Sequence, residues 1–230
     1  MLRRPSPNHN ARPPELPIDM LVLHYTGMQT AEQAVARLTD PVAEVSAHYL
    51  VDEDGSIVAL ADEDRRAWHA GQAFWRGHRD INARSIGIEL VNPGHEFGYR
   101  PFPAAQMEAL AGLAEAILAR HPIPPRNVVG HSDVAPQRKQ DPGELFDWAG
   151  LASRGIGLWP APRPSDRPFP LAAAAELLAL WGYDVADRQA ERAALIAFQR
   201  HFRPSCCDGL ADPDCLARLA SLLRMVDEDI

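Results

Sequence analysis

Each of three short apolar runs in this chain ends on a side chain that can bind a metal or move a proton. Met20-Leu21-Val22-Leu23 runs into His24, Ile86-Gly87-Ile88 into Glu89, and Val128-Val129-Gly130 into His131. Short apolar runs bounded by turn residues and separated by helical patterns read as buried strands of an α/β sheet. In an open sheet of that kind, the loops beyond the carboxyl ends of parallel strands gather at one edge, where ligands bind. Titratable residues at strand ends therefore fall in one neighbourhood, although they lie far apart along the chain.

The intervening patterns agree with that class. Thr30-Ala31-Glu32-Gln33 is a capping box that opens a short helix ending near Asp40-Pro41. Ala47 to Val51 and Ser56 to Leu60 flank Asp54-Gly55, a strong hairpin signal. After Pro103, the residues Met107, Leu110, Ala111, Ala114, Ile117 and Leu118 trace one helical face. A strand at 127–130 and a helix near 146–154 follow. Residues 1–17 form a polar, Pro-rich tail, disordered or laid across the surface. Around residues 161–170, Pro160, Pro162, Pro164, Pro168 and Pro170 make a stiff linker. Beyond it lie amphipathic segments at 171–181, 188–202 and 213–225, with Asp187 and Asp212 as N-caps. The expected fold is a mixed central sheet flanked by helices over 18–160, followed by a small all-α three-helix domain over 171–230.

Composition excludes several partners. With 230 residues and a net charge of −8, the chain lacks the basic footprint of a nucleic-acid binder. No apolar run approaches the roughly 20 residues that span a bilayer, so no membrane partner is expected. Arg3 and Arg4 are followed by no apolar stretch, so the start does not read as a secretory signal. Cys206, Cys207 and Cys215, odd in number and clustered, argue against a disulfide framework and read as reduced thiols. The cytoplasm is the simplest address; the periplasm or outer membrane is the alternative if an export signal precedes the sequence.

The chemistry concentrates between Gly130 and Gly143, where His131, Lys139 and Asp141 share a loop stiffened by Pro136 and Pro142. Lys139 and Asp141 are two residues apart, so on extended backbone they leave from the same side. Alone they read as an ion pair. With a histidine reaching the same point, they read as part of a zinc site with a cationic helper. Catalytic zinc takes three protein ligands and keeps one position open. His131 and Asp141 supply two, and His24 is the candidate third, unless it is a hydrogen-bonded structural histidine. Glu89 stands where a strand buried on both faces wants an apolar residue, and an unpaired buried carboxylate is costly. It is either ion-paired, to Arg84 or Arg100, or a general base that takes a proton from the attacking water. Lys139 then stabilises the oxygen on which charge develops as an amide carbonyl is attacked. His48 reads as structural, and His9, His95, His121 and His201 as surface residues.

His24-Tyr25, Ser46-Ala47-His48-Tyr49-Leu50-Val51 with Asp54-Gly55, Arg66-Ala67-Trp68-His69-Ala70-Gly71, Ser85-Ile86-Gly87-Ile88-Glu89-Leu90 and the 130–143 loop follow one another in an order that resembles a known family. It is the zinc-dependent N-acetylmuramoyl-L-alanine amidases of the phage-lysozyme and peptidoglycan-recognition fold, within them the AmpD/AmiD-like branch that acts on anhydromuramyl peptides. The resemblance covers about residues 18–160. The stretch from Ala197 to Pro204 resembles the three-helix peptidoglycan-binding domain carried by AmiD-like members. The resemblance implies Zn2+ on His24, His131 and Asp141, with Glu89 and Lys139 as catalytic residues. It implies hydrolysis of the amide between N-acetylmuramic acid, or its 1,6-anhydro form, and L-alanine in peptidoglycan turnover, the partner being a muropeptide or peptidoglycan. Some relatives place a catalytic tyrosine before the histidine matching His48; Ala47 stands there, so the base role rests on Glu89. AmiD-like relatives are often lipoproteins, and no cysteine near the start of this sequence offers a lipid anchor. Trp68 and His69, before a backbone that can approach sugar or peptide at Ala70-Gly71, are candidate substrate contacts, as is Asn92. A loop with Trp75, Arg76 and His78 is a candidate cover for the cleft. Two other readings use the same residues: a non-catalytic peptidoglycan-recognition protein and a zinc peptidase acting on stem peptides.

Overall fold

The computed structural model describes residues 1–163 and 170–227, so Pro164 and Pro168 of the linker lie outside the described residues. The strands are β1 (Leu2–Arg3), β2 (His9–Ala11), β3 (Met20–Tyr25), β4 (Tyr49–Val51), β5 (Ile57–Ala59), β6 (Arg65–Ala67), β7 (Ser85–Leu90) and β8 (Val128–Gly130). The helices are α1 (Ala31–Thr39), α2 (Gly94–Phe97), α3 (Ala104–Leu118), α4 (His131–Val134), α5 (Trp148–Ser153), α6 (Ala174–Trp181), α7 (Arg188–Phe202) and α8 (Pro213–Asp227). Six strands form one mixed sheet in the order β1-β5-β4-β7-β3-β8, and β2 pairs with β6 in a second, small sheet. Strands β4, β7, β3 and β8 are parallel, and β5 returns antiparallel through the Asp54-Gly55 turn, with Gly55 at φ +87°.

Side chains alternate faces along a strand, and the sheet uses both faces. Leu21 and Leu23 of β3, with Ile86, Ile88 and Leu90 of β7, pack against Leu110, Ala114 and Ile117 of α3. Met20 and Val22 point the other way, into a core with Trp75, Leu178, Trp181, Phe198 and Phe202. The C-terminal helices thus share a core with the sheet. Residues 22, 24, 85, 87 and 89 belong to that second face, which is why a histidine and a glutamate can interrupt strands whose other face is apolar.

The N-terminal segment is laid across the surface rather than disordered. Its first residues pair as β1 with β5 and β2 with β6. Polarity did not prevent this, because its polar side chains find backbone partners. Asn8 donates to the carbonyls of Asp40 and Val45, and Arg12 to those of Glu63, Asn82, Ala83 and Ser85. Helix α1 starts at the expected cap, with Thr30 Oγ1 accepting from the Gln33 N–H at 3.2 Å. Among the described residues no helix is long and apolar enough to cross a membrane.

Candidate metal centre and catalytic cleft

Strand register assembles the site. His24 lies opposite Glu89 across β3 and β7, and Leu23 opposite Gly130 across β3 and β8, so His131 follows at the same edge. The loop returning from α4 is held by the Ser132 N–H, which donates to the Asp141 carbonyl at 2.9 Å and brings that side chain in. His24 Nδ1, His131 Nδ1 and Asp141 Oδ2 lie 3.0 Å from one another on all three sides, and all three residues are buried.

The remaining ring nitrogens reveal where the protons are. His131 Nε2 lies 3.0 Å from the Ala70 carbonyl, which can only accept, so Nε2 carries a proton and, in the neutral ring, Nδ1 keeps a lone pair. Ser85 Oγ donates to the Ile81 carbonyl at 2.7 Å and accepts from His69 Nε2 at 3.1 Å. His69 Nδ1 is then an acceptor, and His24 Nε2 donates to it at 3.0 Å. That leaves the lone pair of His24 Nδ1 facing His131 and Asp141. Burial, and after it the charge of His131, lower His24 to about 4, so it is neutral at physiological pH.

With both imidazoles neutral, three electron-pair donors converge, an arrangement that is repulsive unless a cation joins them. Two imidazoles and a carboxylate suit zinc. Tetrahedral zinc, with ligand distances near 2.0–2.1 Å, sets its ligand atoms roughly 3.3 Å apart, close to the spacing observed. The residues present fit the ion. The bonds to Ala70 and His69 are the outer contacts that orient ligating histidines.

Glu89 faces a cleft of about 370 Å3 that also includes Tyr25, Met28, Trp68, Lys139 and Asp141. Neither expected ion-pair partner reaches it. Arg84 pairs with Asp19, and Arg100 with Glu53 at 2.7 Å. Glu89 Oε2 is buried without a hydrogen-bond partner. Burial first, then the Asp141 charge, raise its pKa well above the ordinary glutamate range, while Lys139 acts to lower it. A larger cleft of about 610 Å3, lined by Arg66, Phe74 and Arg79, adjoins across Arg138 and holds none of the candidate ligands.

Among the expected substrate contacts, Trp68 lines the smaller cleft, partly exposed, with Nε1 donating to Asn10 Oδ1 at 3.0 Å. His69 borders the same cleft, but both its ring nitrogens are engaged by His24 and Ser85, so it orients a candidate ligand rather than offering a polar contact to substrate. Asn92 is fully buried away from the cleft. Its amide donates to the Arg100 carbonyl and its oxygen accepts from the Gly94 N–H, pinning a loop. The 75–78 loop does not cover the cleft: Trp75 is buried against Tyr183, and the Arg76 N–H donates to the Gly182 carbonyl. His201, expected at the surface, is buried, because its Nδ1 meets Asp133 Oδ2 at 2.7 Å and its ring stacks on Trp148. His48 is structural, accepting from the Gly87 N–H and donating to the Arg65 carbonyl.

Sequence reasoning missed Ser85, Gly87 and Asn82. Asn82 Oδ1 accepts the N–H groups of His69 and Ala70, fixing the backbone that both candidate histidine ligands lean on. A Cβ on Gly87 would meet the His69 ring at 2.5 Å. Glycine inside a strand signals close approach of another group, and that signal was available at Gly87.

A family model described as N-acetylmuramoyl-L-alanine amidase matches residues 14–144. The N-acetylmuramoyl-L-alanine amidase AmiD of Escherichia coli K12 is 42% identical, over 92% of this chain and 84% of that one. Its structure in complex with the substrate anhydro-N-acetylmuramic acid-L-Ala-D-γ-Glu-L-Lys superposes with a TM-score of 0.82 at 41% identity, covering 94% of this chain and 93% of that one. AmpDh3 of Pseudomonas aeruginosa, in complex with an anhydromuramic pentapeptide, gives a TM-score of 0.84 at 34% identity, over 98% and 99% of the two chains. The 1,6-anhydro-N-acetylmuramyl-L-alanine amidase AmpD of Enterobacter cloacae is 35% identical, over 63% of this chain and 84% of that one.

Proposed function

This chain belongs to the N-acetylmuramoyl-L-alanine amidase family and is an amidase; we propose that it uses zinc held by His24, His131 and Asp141 to hydrolyse the amide joining N-acetylmuramic acid, or its 1,6-anhydro form, to L-alanine of a stem peptide. The observation that carries the reading is the triangle of metal-ligating atoms, each 3.0 Å from the other two, at the cleft that Glu89 and Lys139 also line. The substrate class follows from the anhydromuropeptides bound by AmiD and AmpDh3, to which this chain is similar over nearly its whole length.

Bound zinc supplies Lewis acidity toward the scissile carbonyl and the attacking water. Glu89, which faces the cleft, takes the proton of that water and passes it to the amine nitrogen of the departing L-alanine. In the zinc-free chain burial, then the Asp141 charge, raise the Glu89 pKa; burial opposes the charged form with zinc bound as well, which favours Glu89 as an acceptor of the proton. Lys139, at the same cleft, sets its ammonium toward the carbonyl oxygen as that oxygen becomes anionic. Trp68 offers a ring as a wall for sugar or peptide.

The test is to incubate the pure chain, with and without a zinc chelator, with a defined anhydromuropeptide and weigh the products. Release of the intact stem peptide, abolished by chelator, is the expected result. Cleavage within the peptide would make it a stem-peptide peptidase. Equimolar zinc with no product would make it a recognition protein.

A further inference from the structure

Asp133 is fully buried in the four-residue turn α4 that begins with His131. Its carboxylate accepts three hydrogen bonds. The Gly130 N–H donates to Oδ2 at 2.7 Å, His201 Nδ1 to the same oxygen at 2.7 Å, and the Tyr183 hydroxyl to Oδ1 at 2.6 Å. Two of these donors come from the C-terminal helical region: Tyr183 follows α6, and His201 lies in the last turn of α7. Burial and the neighbouring Asp133 charge raise the Tyr183 pKa well above its ordinary value, so the phenol remains a donor.

Helix α7 also reaches the second ligand-bearing segment. Arg200, beside His201, donates to Gln140 Oε1 at 3.0 Å, and Gln140 immediately precedes Asp141. Two adjacent residues of one helix thus touch the neighbours of two candidate ligands. His201 is itself fixed, stacked on Trp148 at 3.7 Å between ring centroids. Without these contacts Asp133 would keep a single donor in an apolar core, and the turn that aims His131 would have to rearrange to hydrate it.

We infer that the C-terminal helices are a working part of the metal centre, with Tyr183 and His201 acting through Asp133 as positioning residues for His131. The inference rests on the reading of His131 as a zinc ligand. It assigns the helical region a role in building the site, whatever contact it also makes with polymer.

The test is zinc affinity of the full chain, measured by competition with a chromogenic chelator at a temperature where circular dichroism shows every variant folded. Tyr183→Phe and His201→Phe keep the rings and remove the donors. Each should raise the zinc dissociation constant about tenfold or more, the lower end of what outer contacts of ligating histidines contribute. His201→Asn, which restores a donor near the Nδ1 position, should recover most of that affinity. A purely structural role would shift melting temperatures and leave zinc affinity at the wild-type value, and that outcome overturns the inference. A wild-type chain that takes up no zinc overturns the metal reading itself, and this inference with it.

Discussion

Replacing Glu89 by Gln should remove the catalytic base, leave the metal ligands untouched and make the zinc-free chain more stable. The substitution keeps shape and removes charge. Loss of a positioned proton-transfer group lowers kcat by about 10²- to 10⁴-fold, equivalent to roughly 3–5 kcal/mol of barrier. The stability effect has the opposite sign. Glu89 Oε2 is buried without a partner, and burial, followed by the Asp141 charge, raises the pKa against the opposing effect of Lys139. The folded chain therefore keeps the Glu89 proton at a pH where the unfolded chain has released it. The stability this contributes is fully present below about pH 4.3 and is lost as pH rises through the folded-state pKa. Gln never ionises, so the variant gains on wild type only above that window. Gln leaves an uncharged polar group at the same place, so the gain is the avoided cost of ionising a buried acid, up to about 1.4 kcal/mol for each pH unit above about 4.3 until the folded-state pKa is passed, and each kcal/mol raises the melting temperature of a chain of this size by roughly 2–4 °C. Turnover of an anhydromuropeptide and thermal melts of the zinc-free protein at pH 4 and pH 7 measure both effects. A variant that turns over within a few-fold of wild type, or melts with no gain at pH 7, would refute the assignment.

Lys139→Met keeps the aliphatic stem and should lose about 10²- to 10³-fold in kcat with zinc content unchanged; a change confined to KM would reduce Lys139 to a substrate contact. Ser85→Ala removes the acceptor that fixes the His69 tautomer, so zinc should bind about tenfold more weakly by chelator competition, and unaltered affinity would break the proposed relay. The zinc-free chain should lose stability as pH falls from about 6.5 toward 4. Burial lowers His24 and His48 to about 4 and His69 further, so the unfolded chain takes up protons there first, at up to about 1.4 kcal/mol per pH unit for each histidine. Equal urea midpoints at pH 7 and pH 5 would contradict that.

Much of the sheet and several site residues were legible because they depend on local patterns. The runs ending in His24, Glu89 and His131 became three adjacent parallel strands, or the step just past one, since strand ends in such a sheet meet at one edge. The caps at Thr30, Asp187 and Asp212 were read from one residue and the spacing to its partner, and all three accept the expected N–H. What was not legible is long-range and polar. Nothing near His201 in sequence announces that Asp133 will bury it, and nothing near Arg12 announces four carbonyls waiting beneath the sheet. Hydrophobic periodicity cannot see a polar side chain whose partners are supplied by tertiary contact. Asn92 was misplaced for the same reason: its partners, Gly94 and Arg100, close a loop away from the cleft.

Four buried imidazoles, those of His24, His48, His69 and His131, crowd one region, and composition gives no ground for choosing among them as metal ligands. Proton inventory does. A neutral imidazole has one N–H and one lone pair, and it can bind a cation only if the lone pair is not already accepting. His48 accepts from the Gly87 N–H with Nδ1, and His69 accepts from His24 with Nδ1, so each has its lone pair occupied. In His24 and His131 the N–H is the nitrogen that is taken, by His69 and by the Ala70 carbonyl, leaving both lone pairs aimed at Asp141 Oδ2. The distinction between ligand and scaffold therefore lies in groups with no metal chemistry of their own, the Ser85 hydroxyl and two backbone carbonyls. A change that turned the Ser85 hydroxyl from acceptor to donor would flip His69, then His24, and place a proton where the cation belongs.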